Sequence, residues 1–185
     1  MRLVVYGAFN CPYSFVASRR ADRLAELGVA EVNWRAVVHD PGVPAVGVAV
    51  TGDLAEMFDR EFDEIRALLR PDEPYMLSRP TVQPNTTLAV AGYSTVAAAG
   101  VDPLRRALFD ALWVEGLDIG DAEVLGRLGC PPAAPTATMG RWREEWLGFE
   151  RPTVPMMVLP DGARSRGLGA LKRLADLMPG GSAAR

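Results

Sequence analysis

The spacing of apolar and polar residues predicts a strand, a helix and a second strand within the first forty residues. Residues 3–6 form a short apolar run that is typical of a buried strand. Apolar residues then recur at helical spacing from Tyr13 to Leu27, with most charged residues on the opposite side, and Gly28 follows as a typical helix end. Residues 32–38 alternate between apolar and polar positions, as in a second strand. The order predicts a βαβ unit with parallel strands and a right-handed crossover.

The middle of the chain carries helical patterns, and no strand is predicted between residues 45 and 148. Residues 40–53 are rich in Gly, Pro and Val and are predicted to form a loop, whereas the proline-containing residues 70–84 are predicted to be irregular. Helices are predicted in five segments, at residues 54–69, 86–99, 103–112, 121–128 and 138–146. The residues predicted to cap or end these helices are Asn85, Gly100, Asp102, Asp121 and Thr138.

Strand patterns return near the end of the sequence. Residues 155–159 are apolar, the turn-forming Pro160-Asp161-Gly162 follows, and residues 163–166 are predicted to return as the second strand of a hairpin. An amphipathic helix is predicted at residues 168–178, and residues 181–185 are predicted to form a disordered tail.

These elements predict an α/β protein. Without its helical block, the chain has the element order β-α-β and then β-β-α, which is that of a thioredoxin-like fold. We therefore predict a discontinuous thioredoxin-like domain at residues 1–44 and 149–180. A helical domain at residues 45–148 is inserted between its βαβ and ββα halves.

Composition narrows the class of protein. The chain has 185 residues, is 49% hydrophobic and carries a net charge of −3, as expected of a soluble globular protein with a buried core. Positive charges are interspersed with negative ones, so no nucleic-acid partner is expected. No apolar stretch approaches membrane-spanning length, so no membrane partner is expected either. Lys172 is the single lysine, and the excess of Arg, Ala, Gly and Pro indicates a GC-rich, bacterial source.

The location and the cofactors are constrained by a few residues. No signal-peptide pattern follows Met1, so a cytoplasmic location is expected, where structural disulfides are uncommon. The two cysteines, Cys11 and Cys130, lie far apart in sequence, and His39 is the single histidine. This set has no metal-ligand spacing, so no metal cofactor is expected.

Cys11 is the leading candidate for chemistry, because it lies between the first strand and the first helix. The unpaired N–H groups and partial positive charge of a helix N-terminus favour thiolate over thiol. Cysteines in such settings have a pKa of about 3.5 to 7.5. Pro12 fits the first helical position, where a missing N–H has no cost. The alternative is an inert thiol packed behind the strand.

Three segments give the chain a resemblance to a known family. They are Cys11-Pro12-Tyr13-Ser14 after the first strand; Pro84-Asn85-Thr86 before an Ala-rich helix, followed by Ala107-Leu108-Phe109-Asp110-Ala111-Leu112 and Glu115-Gly116-Leu117-Asp118-Ile119; and Thr153-Val154-Pro155 before the third strand. In this order they resemble the DsbA-like branch of the thioredoxin superfamily. That branch includes 2-hydroxychromene-2-carboxylate isomerases and kappa-class glutathione transferases.

The chain also departs from these relatives. Dithiol members carry Cys-x-x-Cys, whereas the second position here is Ser14. A site without that second cysteine cannot resolve its own mixed disulfide locally. The isomerases and kappa-class transferases typically read Ser-Pro-Tyr-Ser, and this chain has Cys11 in place of their first serine. The chain therefore combines a thiol at the nucleophile position with no neighbouring resolving cysteine.

The resemblance implies roles for individual residues. Cys11 is expected to be the nucleophile. The Ser14 hydroxyl is expected either to donate to its thiolate or to satisfy nearby backbone. Pro155 is expected to be cis, which would turn the Val154 backbone towards Cys11 for pairing with a peptide or thiol. The remaining residues expected to contact the substrate or thiol are Pro12, Tyr13, Asn85 and Thr153, with helix capping as the alternative for Asn85 and packing as the alternative for Tyr13.

The first functional hypothesis is a monothiol thiol–disulfide oxidoreductase that works with a low-molecular-weight thiol, glutathione or mycothiol. Its partner would be a small thiol or disulfide, or a peptide. The second is a thiol-dependent isomerase or transferase in which Cys11 positions a cofactor thiol. The third is a non-catalytic binding module. The sequence leaves open whether Cys130 can resolve a Cys11 disulfide and whether the chain forms a homodimer.

Overall fold

A computed structural model of the chain describes residues 1–96 and 102–179. In chain order its elements are β1 (Arg2–Gly7), α1 (Pro12–Glu26), β2 (Glu31–Ala36), β3 (Val48–Ala49), α2 (Gly52–Leu68), β4 (Val82–Gln83), α3 (Thr87–Val96), α4 (Asp102–Trp113), α5 (Ala122–Arg127), α6 (Ala137–Leu147), β5 (Met156–Val158), β6 (Arg164–Arg166) and α7 (Leu168–Asp176). The predicted helix end at Gly100 and the predicted tail at residues 181–185 lie outside the described residues.

The main sheet has the mixed topology that the element order predicts. Its strand order is β2-β1-β5-β6. Strand β1 runs parallel to β2, with Arg2 opposite Glu31 and Gly7 opposite Ala36. Strand β5 is antiparallel both to β1 and to β6. The fold is therefore the predicted thioredoxin-like one, with a parallel half and an antiparallel half.

The prediction that residues 45–148 contain no strand is wrong. Strands β3 and β4 form a small antiparallel sheet, in which Val48 lies opposite Gln83 and Ala49 opposite Val82. Both segments were expected to be loop or irregular. Two-residue strands have no period of their own to detect, and they are stabilised by pairing with a distant segment.

Helix starts also differ from the prediction by one or two residues. Helix α2, for example, begins at Gly52 rather than at residue 54. Thr136, rather than Thr138, caps α6, since its side chain accepts a hydrogen bond from Met139 N. Helix α3 begins at Thr87, one residue later than predicted, and Asn85 Oδ1 accepts a hydrogen bond from Thr87 N at 3.0 Å.

The hydrophobic core runs from the sheet into the inserted helices. Phe9, which follows β1, packs edge-on against Phe109 of α4, with ring centroids 5.0 Å apart. Trp34 of β2 contacts the same Phe109 ring at 5.6 Å. The buried Trp113 donates its indole N–H to the carbonyl oxygen of Phe9 at 2.8 Å. The predicted division into two domains stays a prediction, and one continuous core cluster contains residues from both parts.

The buried Arg20 fixes α1, whose N-terminus carries Cys11, against α2 and α7. Arg20 is 2% exposed and forms a two-pronged ion pair with Glu73, with N–O distances of 2.7 and 2.6 Å. It also donates to the carbonyl oxygens of Leu68 and Leu171. Hydrogen bonds in which the donor or the acceptor is ionised are among the stronger ones that a protein forms. The contacts of Arg20 hold α1 against the end of α2 and against α7.

Candidate active site

Cys11 is held at the N-terminus of α1 by the turn that leaves β1. Its backbone N–H donates to the carbonyl oxygen of Ala8 at 3.2 Å, and its own carbonyl accepts from Phe15 N at 3.2 Å. Cys11 is therefore the N-cap residue, with extended backbone angles, and Pro12 occupies the first helical position. This is the placement that the sequence predicts.

The segment before β5 lies opposite the thiol. The peptide bond between Val154 and Pro155 is cis. Cys11 Sγ lies 3.9 Å from the carbonyl oxygen of Val154, within reach of a weak S–H···O contact. The carbonyl of Pro155 accepts from Gly167 N at 2.8 Å, which ties this segment to the start of α7.

Helix α6 supports the same segment from the other side. The indole N–H of the buried Trp146 donates to the carbonyl oxygen of Thr153 at 2.9 Å. Its neighbour Glu145 accepts hydrogen bonds from Tyr6 and from Arg35, side chains of β1 and β2. Helix α6 is thus hydrogen-bonded both to the sheet, through Glu145, and to Thr153, through Trp146.

A cavity of about 310 Å³ opens at Cys11. Its lining residues are Cys11, Tyr13, His39, Glu61, Thr153, Val154, Gly167 and Leu168. Four of the predicted site residues therefore line one cavity. Of the other four, Pro12 and Pro155 are buried beside the lining residues, Ser14 is buried beneath, and Asn85 lies elsewhere.

The polar groups of Ser14 and Asn85 have clear local partners. The fully buried Ser14 hydroxyl accepts a hydrogen bond from Ala8 N at 3.2 Å, and its interaction with Cys11 lowers the pKa of that thiol. The hydroxyl therefore satisfies nearby backbone, while its role towards the Cys11 thiolate stays a prediction. Asn85 accepts from Thr87 N and donates to the carbonyl oxygen of Val43 at 2.6 Å, so its amide acts in capping and loop bracing.

Cys130 is 3% exposed and does not line the cavity. Its sulfur lies 4.0 Å from the carbonyl oxygen of Ala89 in α3. Both cysteines are free thiols. Cys130 is thus packed inside the helical part of the fold, where burial raises its pKa.

The prediction of a lowered Cys11 pKa is wrong. Burial raises the pKa of the Cys11 thiol to about 11, although hydrogen bonds from the Ser14 hydroxyl and from the backbone N–H groups of Ser14 and Tyr13 lower it. The negative charge of Glu61 raises it further. The helix N-terminus stabilises the thiolate as expected, but the loss of water around the sulfur outweighs that effect.

Two neighbouring glutamates of α2, Glu61 and Glu64, form an acidic wall beside the site. Glu61 lines the cavity and is half-buried, and burial together with the neighbouring Glu64 raises its pKa to about 6. The exposed Glu64 accepts a hydrogen bond from the Tyr13 hydroxyl at 2.7 Å. Burial and this bond raise the Tyr13 pKa. Acids spaced three residues apart share one helix face, but this spacing alone does not predict that the face lines a cavity.

Comparison with known proteins agrees with this architecture. The sequence profile of the DSBA-like thioredoxin domain matches residues 2–130. A search of curated proteins gives no significant match. In the described parts of the chain, no helix is both long and apolar enough to cross a membrane, and no group of three acidic, Cys or His side chains could hold a metal ion.

Several solved structures share the fold at low sequence identity. A 2-hydroxychromene-2-carboxylate isomerase matches with a TM-score of 0.63 and 22% identity, over 94% of this chain and 92% of its own. A probable DsbA oxidoreductase from Streptomyces coelicolor has a TM-score of 0.69 and 17% identity, over 100% and 93%. The cytosolic disulfide reductase DsbM from Pseudomonas aeruginosa, solved with GSH, has a TM-score of 0.55 and 18% identity, over 87% of each chain.

Proposed function

Because the chain belongs to the family of DSBA-like thioredoxin domains, we propose that it is a thiol–disulfide oxidoreductase with Cys11 as its single redox-active cysteine. One observation carries the proposal. Cys11 is the one cysteine among the described residues that line the cavity, and its sulfur faces the Val154 carbonyl 3.9 Å away. A disulfide entering this cavity would reach the sulfur beside backbone that can pair with it.

The reaction needs two exchanges. In the first, the Cys11 thiol loses its proton and the thiolate attacks one sulfur of the substrate disulfide. A Cys11–substrate disulfide forms while the substrate S–S bond breaks, and the other half leaves as a thiolate that takes up a proton. In the second, the thiolate of a low-molecular-weight thiol, glutathione or mycothiol, attacks the substrate sulfur of the mixed disulfide; a disulfide forms between this thiol and the substrate half, and Cys11 leaves as a thiolate that takes up a proton. The external thiol is needed because Ser14 replaces the resolving cysteine.

The raised pKa sets the rate of the first exchange. At neutral pH few Cys11 side chains are ionised, because burial raises the pKa to about 11. The Ser14 hydroxyl and the N–H groups at the start of α1 stabilise the thiolate that does form. We propose a cytoplasmic location for the reaction, since low-molecular-weight thiols are kept reduced there.

Mass spectrometry of the intact protein tests the proposal. The Cys130→Ala variant is incubated with 2-hydroxyethyl disulfide, an uncharged reagent, at neutral and at alkaline pH. We expect one adduct, which forms faster at alkaline pH and is removed by added glutathione. The same adduct should be absent from a Cys11→Ser, Cys130→Ala variant. If Cys11 remains unmodified at both pH values, the oxidoreductase proposal is wrong and the binding module becomes the better hypothesis.

The raised pKa also favours a second candidate function, a thiol-dependent isomerase or transferase. A thiol that stays protonated at neutral pH can donate its S–H to the thiolate of a bound cofactor. In that role Cys11 positions the cofactor sulfur and forms no disulfide. A Cys11→Ser variant separates the two functions, because a serine hydroxyl can still donate such a bond but cannot exchange disulfides.

A further inference from the structure

The acidic wall next to Cys11 carries uncompensated charge. Glu61 and Glu64 have no ion pair within the described residues. The acids of α2 that do have arginine partners form the pairs Glu56–Arg60, Asp59–Arg79 and Asp63–Arg66. Three acids of α2 therefore have arginine partners, whereas Glu61, which lines the cavity, and the exposed Glu64 next to it have none within the described residues.

The geometry fixes this charge at the reacting sulfur. Glu61 and Cys11 line the same cavity, so Glu61 lies where a substrate must pass. Glu64 is held towards α1 by its hydrogen bond to the Tyr13 hydroxyl, 2.7 Å away. The contacts of Tyr13 and Glu64 thus hold α2 over the helix that carries the thiol.

Little positive charge balances the wall. Among the described lining residues there is no Arg or Lys, and His39 is the one side chain that could become cationic. The Arg60 guanidinium lowers the pKa of Glu61, but burial and Glu64 outweigh it, so the Glu61 pKa is about 6. At neutral pH Glu61 is therefore mostly ionised, and the same charge raises the pKa of Cys11.

We propose that Glu61, supported by Glu64, makes the Cys11 cavity select small disulfides that are cationic or uncharged near the reacting sulfur over anionic ones. The inference rests on the proposed oxidoreductase function. A disulfide with a net negative charge, such as oxidised glutathione, enters a partly desolvated site against a fixed negative charge. A disulfide with ammonium groups, such as cystamine, gains from the same charge. Glu61 acts on entry and orientation, while Cys11 forms and breaks the bonds.

The test compares rates of disulfide exchange at one mildly alkaline pH and low ionic strength. The Cys130→Ala protein is mixed with cystamine, with 2-hydroxyethyl disulfide or with oxidised glutathione, and formation of the Cys11 adduct is followed by mass. The same three reagents are mixed with 2-mercaptoethanol, an uncharged thiol that supplies their intrinsic reactivities. The readout is the ratio of the cystamine rate to the oxidised-glutathione rate. It does not depend on how much Cys11 is ionised, since both reactions use the same thiolate.

We expect this ratio to be at least about tenfold larger for the protein than for 2-mercaptoethanol. Glu61→Gln should reduce it by about threefold or more, and about 0.5 M salt should reduce it in the unchanged protein. Glu56→Gln, the same substitution on the exposed side of α2, is the matched control and should leave it unchanged.

The outcomes separate the inference from the function on which it rests. A ratio equal to that of 2-mercaptoethanol, or one unchanged by Glu61→Gln, overturns the selectivity assigned to Glu61 while leaving the oxidoreductase intact. Absence of reaction with all three disulfides overturns the proposed function and the inference with it. The salt dependence needs no substitution, so a ratio that salt leaves unchanged overturns the inference even if Glu61→Gln does not fold.

Discussion

Trp146 links α6 to the segment at residues 153–155, which lies opposite Cys11, and Trp146→Phe should weaken that link. The substitution removes the indole N–H that bonds the Thr153 carbonyl at 2.9 Å, and it removes part of a side chain that is 6% exposed. The lost hydrogen bond should cost about 1 kcal/mol. The smaller buried ring should cost about another 1–2 kcal/mol. For a chain of this size, the sum corresponds to a fall in Tm of about 5–10 °C.

The more informative effect is on Cys11. A looser segment at residues 153–155 admits water to the sulfur, and burial is the main cause of the raised Cys11 pKa. Each unit by which this pKa falls increases the thiolate fraction at neutral pH about tenfold, while the nucleophilicity of the thiolate falls by about threefold. The alkylation rate should therefore rise about threefold per unit. Trp146→Phe should react with iodoacetamide at least about threefold faster than the parent, measured well below Tm in a Cys130→Ala background.

Trp142→Phe is the matched control for this prediction. Trp142 lies in the same helix and is also 6% exposed, but it packs on Tyr93 in the main core cluster, away from the cluster that contains Val154. Its substitution should lower Tm only by the part due to the smaller ring, which corresponds to about 1–2 kcal/mol, and leave the alkylation rate unchanged. The reasoning is refuted if Trp146→Phe is destabilised but alkylated at the parent rate, or if both variants accelerate equally.

Four further outcomes follow from the same contacts. The rate of Cys11 alkylation should rise with pH through a midpoint above the value of about 8.5 for free cysteine, and a midpoint below it would contradict the burial argument. Ser14→Ala should lower the free energy of unfolding by about 1–2 kcal/mol and slow alkylation at neutral pH, because the hydroxyl lowers the Cys11 pKa; faster alkylation would contradict this. Asp22→Asn removes the carboxylate paired with the buried Arg105 and should cost about 3–5 kcal/mol in chemical denaturation; a cost near zero would contradict it. Glu61 has a pKa of about 6 when folded, above its unfolded value, so the folded state binds the extra proton. When the pH is lowered from neutral through 6, the free energy of unfolding of the parent should therefore rise relative to that of Glu61→Gln. A difference between the two proteins that does not change with pH would contradict this prediction.

The predictable parts of the fold are those whose signal is local. The spacing of apolar residues gives β1, α1 and β2 to within two residues, because each element has a period that its own sequence displays. Strands β3 and β4 have no such period, since each is two residues long and is defined by its partner. The start of α6 depends on a distant contact as well. Ser94 and Thr136 hydrogen-bond at 2.6 Å, which favours Thr136 as the cap over Thr138.

Within the site, too, residues with a local sequence signal could be predicted, whereas residues placed by the packing of distant elements could not. Cys11, Tyr13, Thr153 and Val154 could be predicted to meet, because the motif and its resemblance place them at the ends of neighbouring strands. Glu61 could not, since its position follows from how α2 packs across α1. Its acids have the spacing of an ordinary solvated face, and nothing in the local sequence distinguishes Glu61 from the arginine-paired Glu56.

Cys11 shows why local reasoning can identify a candidate residue and still predict the wrong direction for its pKa shift. The helix N-terminus is encoded within a few residues, and its stabilising N–H groups are where the sequence predicts them. The opposing effects come from burial, to which the Val154 carbonyl 3.9 Å from the sulfur contributes, and from Glu61, which lies about fifty positions away along the chain. Desolvation of a thiolate acts over the whole of its surface, whereas a helix end acts on one side of it. Burial can therefore keep a thiol protonated even at a helix N-terminus, and we expect the alkylation rate of Cys11 to rise when a substitution loosens the contact with Val154.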